Sequence, residues 1–222
     1  LGRYHRKLRP GLNFIVPFLD TIVLEESMRE KLLDVVVLAQ SVSGIVVIDE
    51  AYVDFAESSA LPLVQAFENV MVLRTLSKGY SLAGLRLGFG IAQPTLLAGL
   101  FKVKDSYNVD AIAIALGAAA MHDQAYKNAC AEKVKRSRIQ LVKALHQLGF
   151  TVPDSQGNFV LATPRTQQAV FLYEALKEQG ILVRYFKQPG LDDKLRISIG
   201  TDEQNQRLIE ALAHLGNNHR ST

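Results

Sequence analysis

The sequence predicts an α/β protein: part of a mostly parallel sheet over residues 1–120, then a small α+β domain over residues 121–222. Three observations predict it. Two short, unalternating apolar runs, Ile45-Val46-Val47-Ile48 and Val70-Met71-Val72-Leu73, each stop abruptly at polar residues, with a helix-length segment between them. Strand, helix, strand in that order implies a right-handed crossover in a parallel sheet. A long alanine-rich stretch then gives way, after Gly149, to short strands alternating with helices.

The elements follow in order. Residues 25–40 place Met28, Leu32, Leu33, Val36 and Val37 at helical spacing, with Ser27 as a cap and Gly44 as the stop. The run 45–48 is β-branched without alternation, the pattern of a strand buried on both faces. Residues 61–68 form a short helix with Pro62 in its first turn. Asn69 precedes the second buried strand, and 85–91 reads as a third strand broken by glycines. Residues 111–147 favour a helix with room for a bend, connecting the two parts. Strands at 158–162, 181–185 and 195–199, with helices at 166–179 and 202–215, complete the small domain.

Composition excludes several classes. With 48% hydrophobic and 21% charged residues, the chain is a normal globular sequence rather than a disordered one. A formal charge of +3 is too small to imply a nucleic-acid partner, and the cluster Arg3, His5, Arg6, Lys7 and Arg9 reads as a solvated end. So do Lys133, Lys135, Arg136 and Arg138, taken as the solvated face of a helix. The single cysteine, Cys130, makes no internal disulfide and reads as a buried thiol in the long helix. No apolar run approaches the ~20 residues of a membrane span, and no secretory pattern opens the chain, so the cytoplasm is expected. The five histidines have no metal-ligand spacing.

In α/β sheets ligands gather at the carboxyl ends of the strands. Asp49 ends the first run, and Thr75, Ser77 and Lys78 follow the second. A carboxylate after four apolar residues is expected to be buried and to need a cation or several donors. Tyr52, three residues on, is a candidate to face the same space. The segment Arg74-Thr75-Leu76-Ser77-Lys78-Gly79-Tyr80 fits neither phosphate-loop pattern, because the lysine precedes the glycines. Two hydroxyls (Thr75, Ser77) and a guanidinium (Arg86) around one lysine suit a bound phosphate dianion beside an amine that does covalent work.

The stretches IDEAYVDF (48–55) and RTLSKGYSLAGLRLG (74–88) resemble those of fold-type-I pyridoxal-phosphate aminotransferases, and more narrowly histidinol-phosphate aminotransferases. SYNVD (106–110), GNFVLA (157–162), GILVR (180–184) and LRISIGT (195–201) extend the resemblance over residues 25–215. The resemblance implies a pyridoxal 5′-phosphate enzyme moving an amino group between histidinol phosphate and 2-oxoglutarate in histidine biosynthesis. Lys78 then binds the cofactor, Asp49 pairs with its ring nitrogen and Tyr52 donates to its phenolic oxygen. Thr75, Ser77 and Arg86 hold its phosphate, Arg196 pairs with the substrate carboxylate, and Arg184 lies near the substrate's acidic end. A cytoplasmic homodimer follows from the same resemblance.

Residues 1–24 contain nothing like the family's N-P-N-N-P-T-G segment, and Ser106 and Asp110 stand where a proline and an asparagine are expected. The chain therefore reads as the C-terminal part of such an enzyme, with sheet edges and apolar faces left uncovered. Alternatives are a threonine-phosphate decarboxylase, an aromatic aminotransferase, or an inactive truncated chain on the same scaffold.

Overall fold

A computed structural model describes residues 28–218. The basic cluster of the first ten residues, Ser27 and His219 lie outside the described residues. The described chain groups into two compact units: residues 28–49, 60–73 and 90–105, and residues 50–59, 74–89 and 106–218.

The first unit contains α1 (Met28–Ser41), β1 (Val46–Asp49), α2 (Leu61–Ala66), most of β2 (Val70–Thr75), the later part of β3 (Gly88–Ala92) and α3 (Pro94–Phe101). The sheet order is β1-β2-β3, and β1 and β2 pair in parallel from Val46↔Val70 to Asp49↔Leu73. Val46, Val70 and Val72 bury against Ala39, Ala60 and Val64. Alternation appears where none was expected: Val46 is buried, whereas Ile45 and Val47 are each 53% exposed. A β-branched run tolerates cover on both faces but does not create it, and among the described residues one face of β1 is covered. The third strand begins at Gly88 rather than residue 85, because residues 83–85 close into a 3-10 turn. Helix α3 was not foreseen; Pro94 opens it at a first-turn position.

Asn69 joins helix to sheet. Its side-chain amide donates to the carbonyls of Ala39 (3.0 Å), Val42 (3.3 Å) and Gly44 (3.1 Å), the orphan acceptors at the end of α1. Its own carbonyl receives the N–H of Val46 at 2.8 Å, which starts β1.

The second unit contains a 3-10 turn at Val53–Phe55, the loop after β2, then α4 (Ala111–His122), α5 (Gln124–Gln147), β4 (Phe150–Thr151), β5 (Phe159–Pro164), α6 (Ala169–Glu178), β6 (Arg184–Tyr185), β7 (Leu195–Ser198) and α7 (Asp202–Asn218). The expected helix over 111–147 is two helices. Asp123 leaves helical geometry (φ −94°, ψ 61°) and its carboxylate accepts the N–H of Tyr126, capping α5. The antiparallel sheet has the order β4-β5-β7-β6. One face packs Val160, Ala162, Leu195 and Ile197 against Leu141 and Leu145 of α5, Leu172 and Leu176 of α6, and Leu208 and Leu212 of α7. Each fully buried leucine there contributes roughly 1.5–3 kcal/mol. The predicted strand at 181–185 is only two residues long, and β4 was not anticipated. Cys130 is half-buried rather than buried, and hydrogen bonding with it raises the Tyr126 phenol above its ordinary value.

Candidate functional site

The lysine loop is closed by its own backbone. Beyond β2, the N–H of Leu76 donates to the carbonyl of Leu87 (3.0 Å), that of Leu82 to Leu76 (3.0 Å) and that of Ser81 to Lys78 (3.0 Å). Leu76 is buried at the base of the loop, where it faces Gly117 of α4. Ser81 and Arg86 both take left-handed backbone (φ 57° and 53°), which stores of order 1 kcal/mol or more at a non-glycine residue. The Thr75 hydroxyl lies 2.9 Å from Ser77 Oγ and 3.2 Å from the Leu87 carbonyl, and it accepts the Ser77 N–H at 3.1 Å. Thr75 and Ser77 are thereby brought together and tied to the residue after Arg86. The Arg86 guanidinium itself is exposed and donates to the Ala83 carbonyl at 3.1 Å.

Lys78 is half-buried, and its Nζ lies 5.4 Å from the centroid of the Tyr52 ring. Among the described residues the ammonium has neither an ion pair nor a hydrogen bond. Tyr52 meets Phe159 edge-on, with ring centroids 5.2 Å apart. Arg196 lies between Leu195 and Ile197, so strand alternation turns it away from the core. Its guanidinium carbon sits 4.1 Å from the Phe159 ring centroid, and Nη2 donates to the Tyr52 hydroxyl at 3.5 Å. Arg196 Nε is buried and has no hydrogen-bond partner. A buried guanidinium N–H without an acceptor is expensive, and its planar fork matches a carboxylate. Lys78, Tyr52 and Arg196 therefore share one cluster with Phe159.

Arg184 is the register partner of Arg196 across β6 and β7, on the same face of the sheet. It is exposed, stacks 5.4 Å from the Phe186 ring centroid, and lines a cavity with Tyr173, Tyr185, Phe186, Lys187 and Gln188. Asp49 belongs to the first unit and ends β1 at an exposed position, not the buried one expected of it. A strand with one covered face leaves alternate side chains in solvent.

Sequence reasoning missed the groups that hold this cluster. Arg74 donates through Nε (3.0 Å) and Nη2 (2.9 Å) to one oxygen of Glu50, and Ser59 bonds both partners at 2.8 and 3.0 Å. Glu50 is the buried charged residue among the described ones, at 8% exposure. Lys127 pairs with Asp54 at 3.1 Å, both side chains being 13% exposed. Arg138, assigned above to a solvated face, is half-buried and donates to the carbonyls of Phe55 (3.2 Å) and Gly157 (2.8 Å). Burial pulls its guanidinium below the ordinary arginine value, while Glu57 pulls the other way. One signal was readable: Lys127, Ala131, Val134, Arg138, Leu141 and Leu145 form a single helical stripe, so its two cations share a face with core residues. Among the described residues no three His, Cys, Asp or Glu side chains form a metal-ligand group, and no helix is long and apolar enough to cross a membrane.

Residues 27–212 match the family of aminotransferases of class I and II. The chain belongs to that family. Histidinol-phosphate aminotransferase 1 of Trichormus variabilis is 67% identical over 178 residues, covering 80% of this chain and 51% of that protein. The chain spans about half the length of the curated relatives it matches. The histidinol-phosphate aminotransferase of Clostridium acetobutylicum superposes with a TM-score of 0.78 at 25% identity, covering 86% of this chain and 59% of that one. The Sinorhizobium meliloti histidinol-phosphate aminotransferase, solved in complex with pyridoxal 5′-phosphate, gives 0.74 at 28% identity, covering 84% and 53%. The aminotransferase chain is thus α/β and carries part of the fold seen in these structures.

Proposed function

We propose that the chain carries the lysine, the phosphate-binding loop and the carboxylate-binding arginine of a pyridoxal-phosphate-dependent aminotransferase. Its proposed reaction exchanges an amino group between histidinol phosphate and 2-oxoglutarate in histidine biosynthesis. The observation that carries this is the Lys78 amine, half-buried 5.4 Å from the Tyr52 ring centroid with no hydrogen-bond partner among the described residues. The names of the relatives support the substrate, and the Sinorhizobium meliloti complex supports the cofactor.

The donor set suits the cofactor. An amine for its aldehyde, adjacent hydroxyls at Thr75 and Ser77 for its phosphate, and an orphaned N–H at Arg196 for a carboxylate are groups such a ligand satisfies. When bound, pyridoxal phosphate supplies the electron sink that deprotonation of an amino acid's α-carbon requires. Lys78 would hold the cofactor through its amine, and the same amine would move the proton at that carbon. By the same reading, Tyr52 would donate to the ring's phenolic oxygen, Asp49 would pair with the ring nitrogen, and Arg86 would join the two hydroxyls in holding the phosphate. Arg196 would orient the α-carboxylate of glutamate or 2-oxoglutarate, and Arg184 would receive a second acidic group. Two arginines opposite one another, without an ion pair among the described residues, repel each other until a doubly anionic ligand lies between them.

We further propose the division into a cofactor-binding domain over 1–120 and a small domain over 121–222, a homodimeric assembly and a cytoplasmic location. The test of the central reading is direct. Mixing the chain with pyridoxal phosphate should give the visible band of the covalently bound cofactor, bleached by borohydride and absent in Lys78→Ala. Glutamate and histidinol phosphate should then each convert the band in half-reactions. A folded chain that gives no band, or a band that survives Lys78→Ala, overturns the reading.

A further inference from the structure

We propose that Lys127 and Arg138, three turns apart on one face of α5, are positioning residues that hold Tyr52 and Lys78 in register with Arg196. The inference rests on the reading of Lys78 as the cofactor lysine, and adds two residues with no contact to the proposed ligand.

The face is otherwise a core face. Ala131, Leu141 and Leu145 on it are buried. A cation placed there is unfavourable unless a partner meets it, and both cations find theirs in the same short segment. Lys127 pairs with Asp54 at 3.1 Å, and Arg138 donates to the carbonyl of the next residue, Phe55, at 3.2 Å. That segment is the 3-10 turn entered through Tyr52.

Each cation also reaches the other side of the cluster. The second bond of Arg138 goes to the Gly157 carbonyl at 2.8 Å, two residues before the Phe159 ring that Tyr52 and Arg196 both contact. Gln156 reinforces this join, accepting the Glu57 N–H at 2.8 Å. On the other side, Asp54 lies beneath the residue after Lys78: a β-carbon on Gly79 would fall 2.2 Å from Asp54 Oδ2. Lys127 also lies 5.6 Å from the Tyr80 ring centroid. The turn bearing Tyr52, the loop bearing Lys78 and the strand bearing Phe159 are all referenced to one rigid helix.

The test compares Lys127→Met and Arg138→Met with Leu145→Ala, which empties a core site on the same helix. Two readouts are taken on the full chain under conditions where each variant is folded. The first is the rate at which Lys78 is acylated by an amine-reactive ester, read by peptide mass relative to exposed Lys143. Loss of either cation should raise that relative rate several-fold, and Arg138→Lys should restore part of the difference. Leu145→Ala should leave it within about twofold whatever its stability. The second is pyridoxal-phosphate affinity, expected to weaken about tenfold in both cation variants, the size of one lost charged hydrogen bond. Equal relative acylation in all variants overturns the proposal. Absence of a Lys78-borne cofactor band in the unmodified chain, with the acylation pattern as expected, overturns the cofactor reading and leaves the positioning role standing.

Discussion

Arg184 and Arg196 are register partners on adjacent antiparallel strands, and strand alternation turns both away from the leucine-rich core. Their environments differ. Arg196 stacks on Phe159 with a buried, unpartnered Nε, whereas Arg184 is exposed beside Phe186. The preorganised, desolvated guanidinium suits the α-carboxylate of an amino acid such as glutamate, and the exposed one suits a second acidic group.

Arg196→Ala is therefore expected to weaken glutamate, through its α-carboxylate, by about ten- to a hundredfold, from the roughly 1.5–3 kcal/mol of a charged hydrogen bond. Pyridoxal-phosphate affinity should change by less than about threefold. Arg184→Ala should weaken only substrates with a second acidic group, sparing a neutral amino acid such as alanine. Half-reaction rates against substrate concentration test both. Equal losses of cofactor and substrate in Arg196→Ala would count against the assignment.

The Glu50–Arg74–Ser59 triangle joins the segment after β1 to the end of β2, one residue before Thr75. Glu50 has a 6% exposed side chain, so removing Arg74 takes a cation away from a buried carboxylate. Arg74→Met is expected to destabilise the chain by about 3–5 kcal/mol. Adding Glu50→Gln to it should recover part of that loss, because a neutral amide is less costly to bury than a carboxylate deprived of that cation. Urea midpoints for the two single variants and the double variant decide it; strictly additive losses would show that the pair is not coupled.

Much of this was readable beforehand. The strand read at 70–73 and the helix read at 61–68 came from apolar β-branched composition and proline position, which act locally, and appear as Val70–Thr75 and Leu61–Ala66. Arg196 was recognisable through the resemblance of its stretch, LRISIGT, and strand alternation between Leu195 and Ile197 turns it to the face opposite the core. What could not be read depends on approach between distant segments. Arg138 has the composition of a surface residue, and only the carbonyls of Phe55 and Gly157 give it a partly buried environment. The 53% exposure of Val47 likewise depends on what covers the sheet, a property the strand does not encode. The bend expected in 111–147 is a full break whose position was not legible, because helix propensity averages over a window while the capping carboxylate of Asp123 acts at one residue.

Gly79 is set by close approach rather than by φ. Its missing β-carbon is what admits the Asp54 carboxylate, which Lys127 holds in place. Gly79→Ala should push the lysine loop away from the Tyr52 turn and lower pyridoxal-phosphate binding at Lys78 by about five- to a hundredfold, as overpacking by one methyl costs about 1–3 kcal/mol. Pairing Gly79→Ala with Asp54→Ser, which shortens the opposing side chain, should restore part of the binding. Borohydride-trapped cofactor on the Lys78 peptide measures both, and unchanged trapping in Gly79→Ala would show that the loop accommodates the methyl.

Asn69 governs the first unit in a way its position before a strand does not suggest. One side-chain amide serves three carbonyls at the end of α1, and its backbone carbonyl starts β1. Asn69→Ala keeps the backbone bond to Val46 and deletes the amide, so the helix end loses its donor while the strand ladder remains. The expected loss is about 1–3 kcal/mol, the range for a partly buried polar group left without its partner. It should appear unequally: amide exchange should accelerate in the last turn of α1 well before it does at the Val70 and Val72 amides of the buried strand. An even acceleration across helix and strand would mean that Asn69 stabilises the unit as a whole. No acceleration at all would mean that water replaces the amide at those carbonyls without loss.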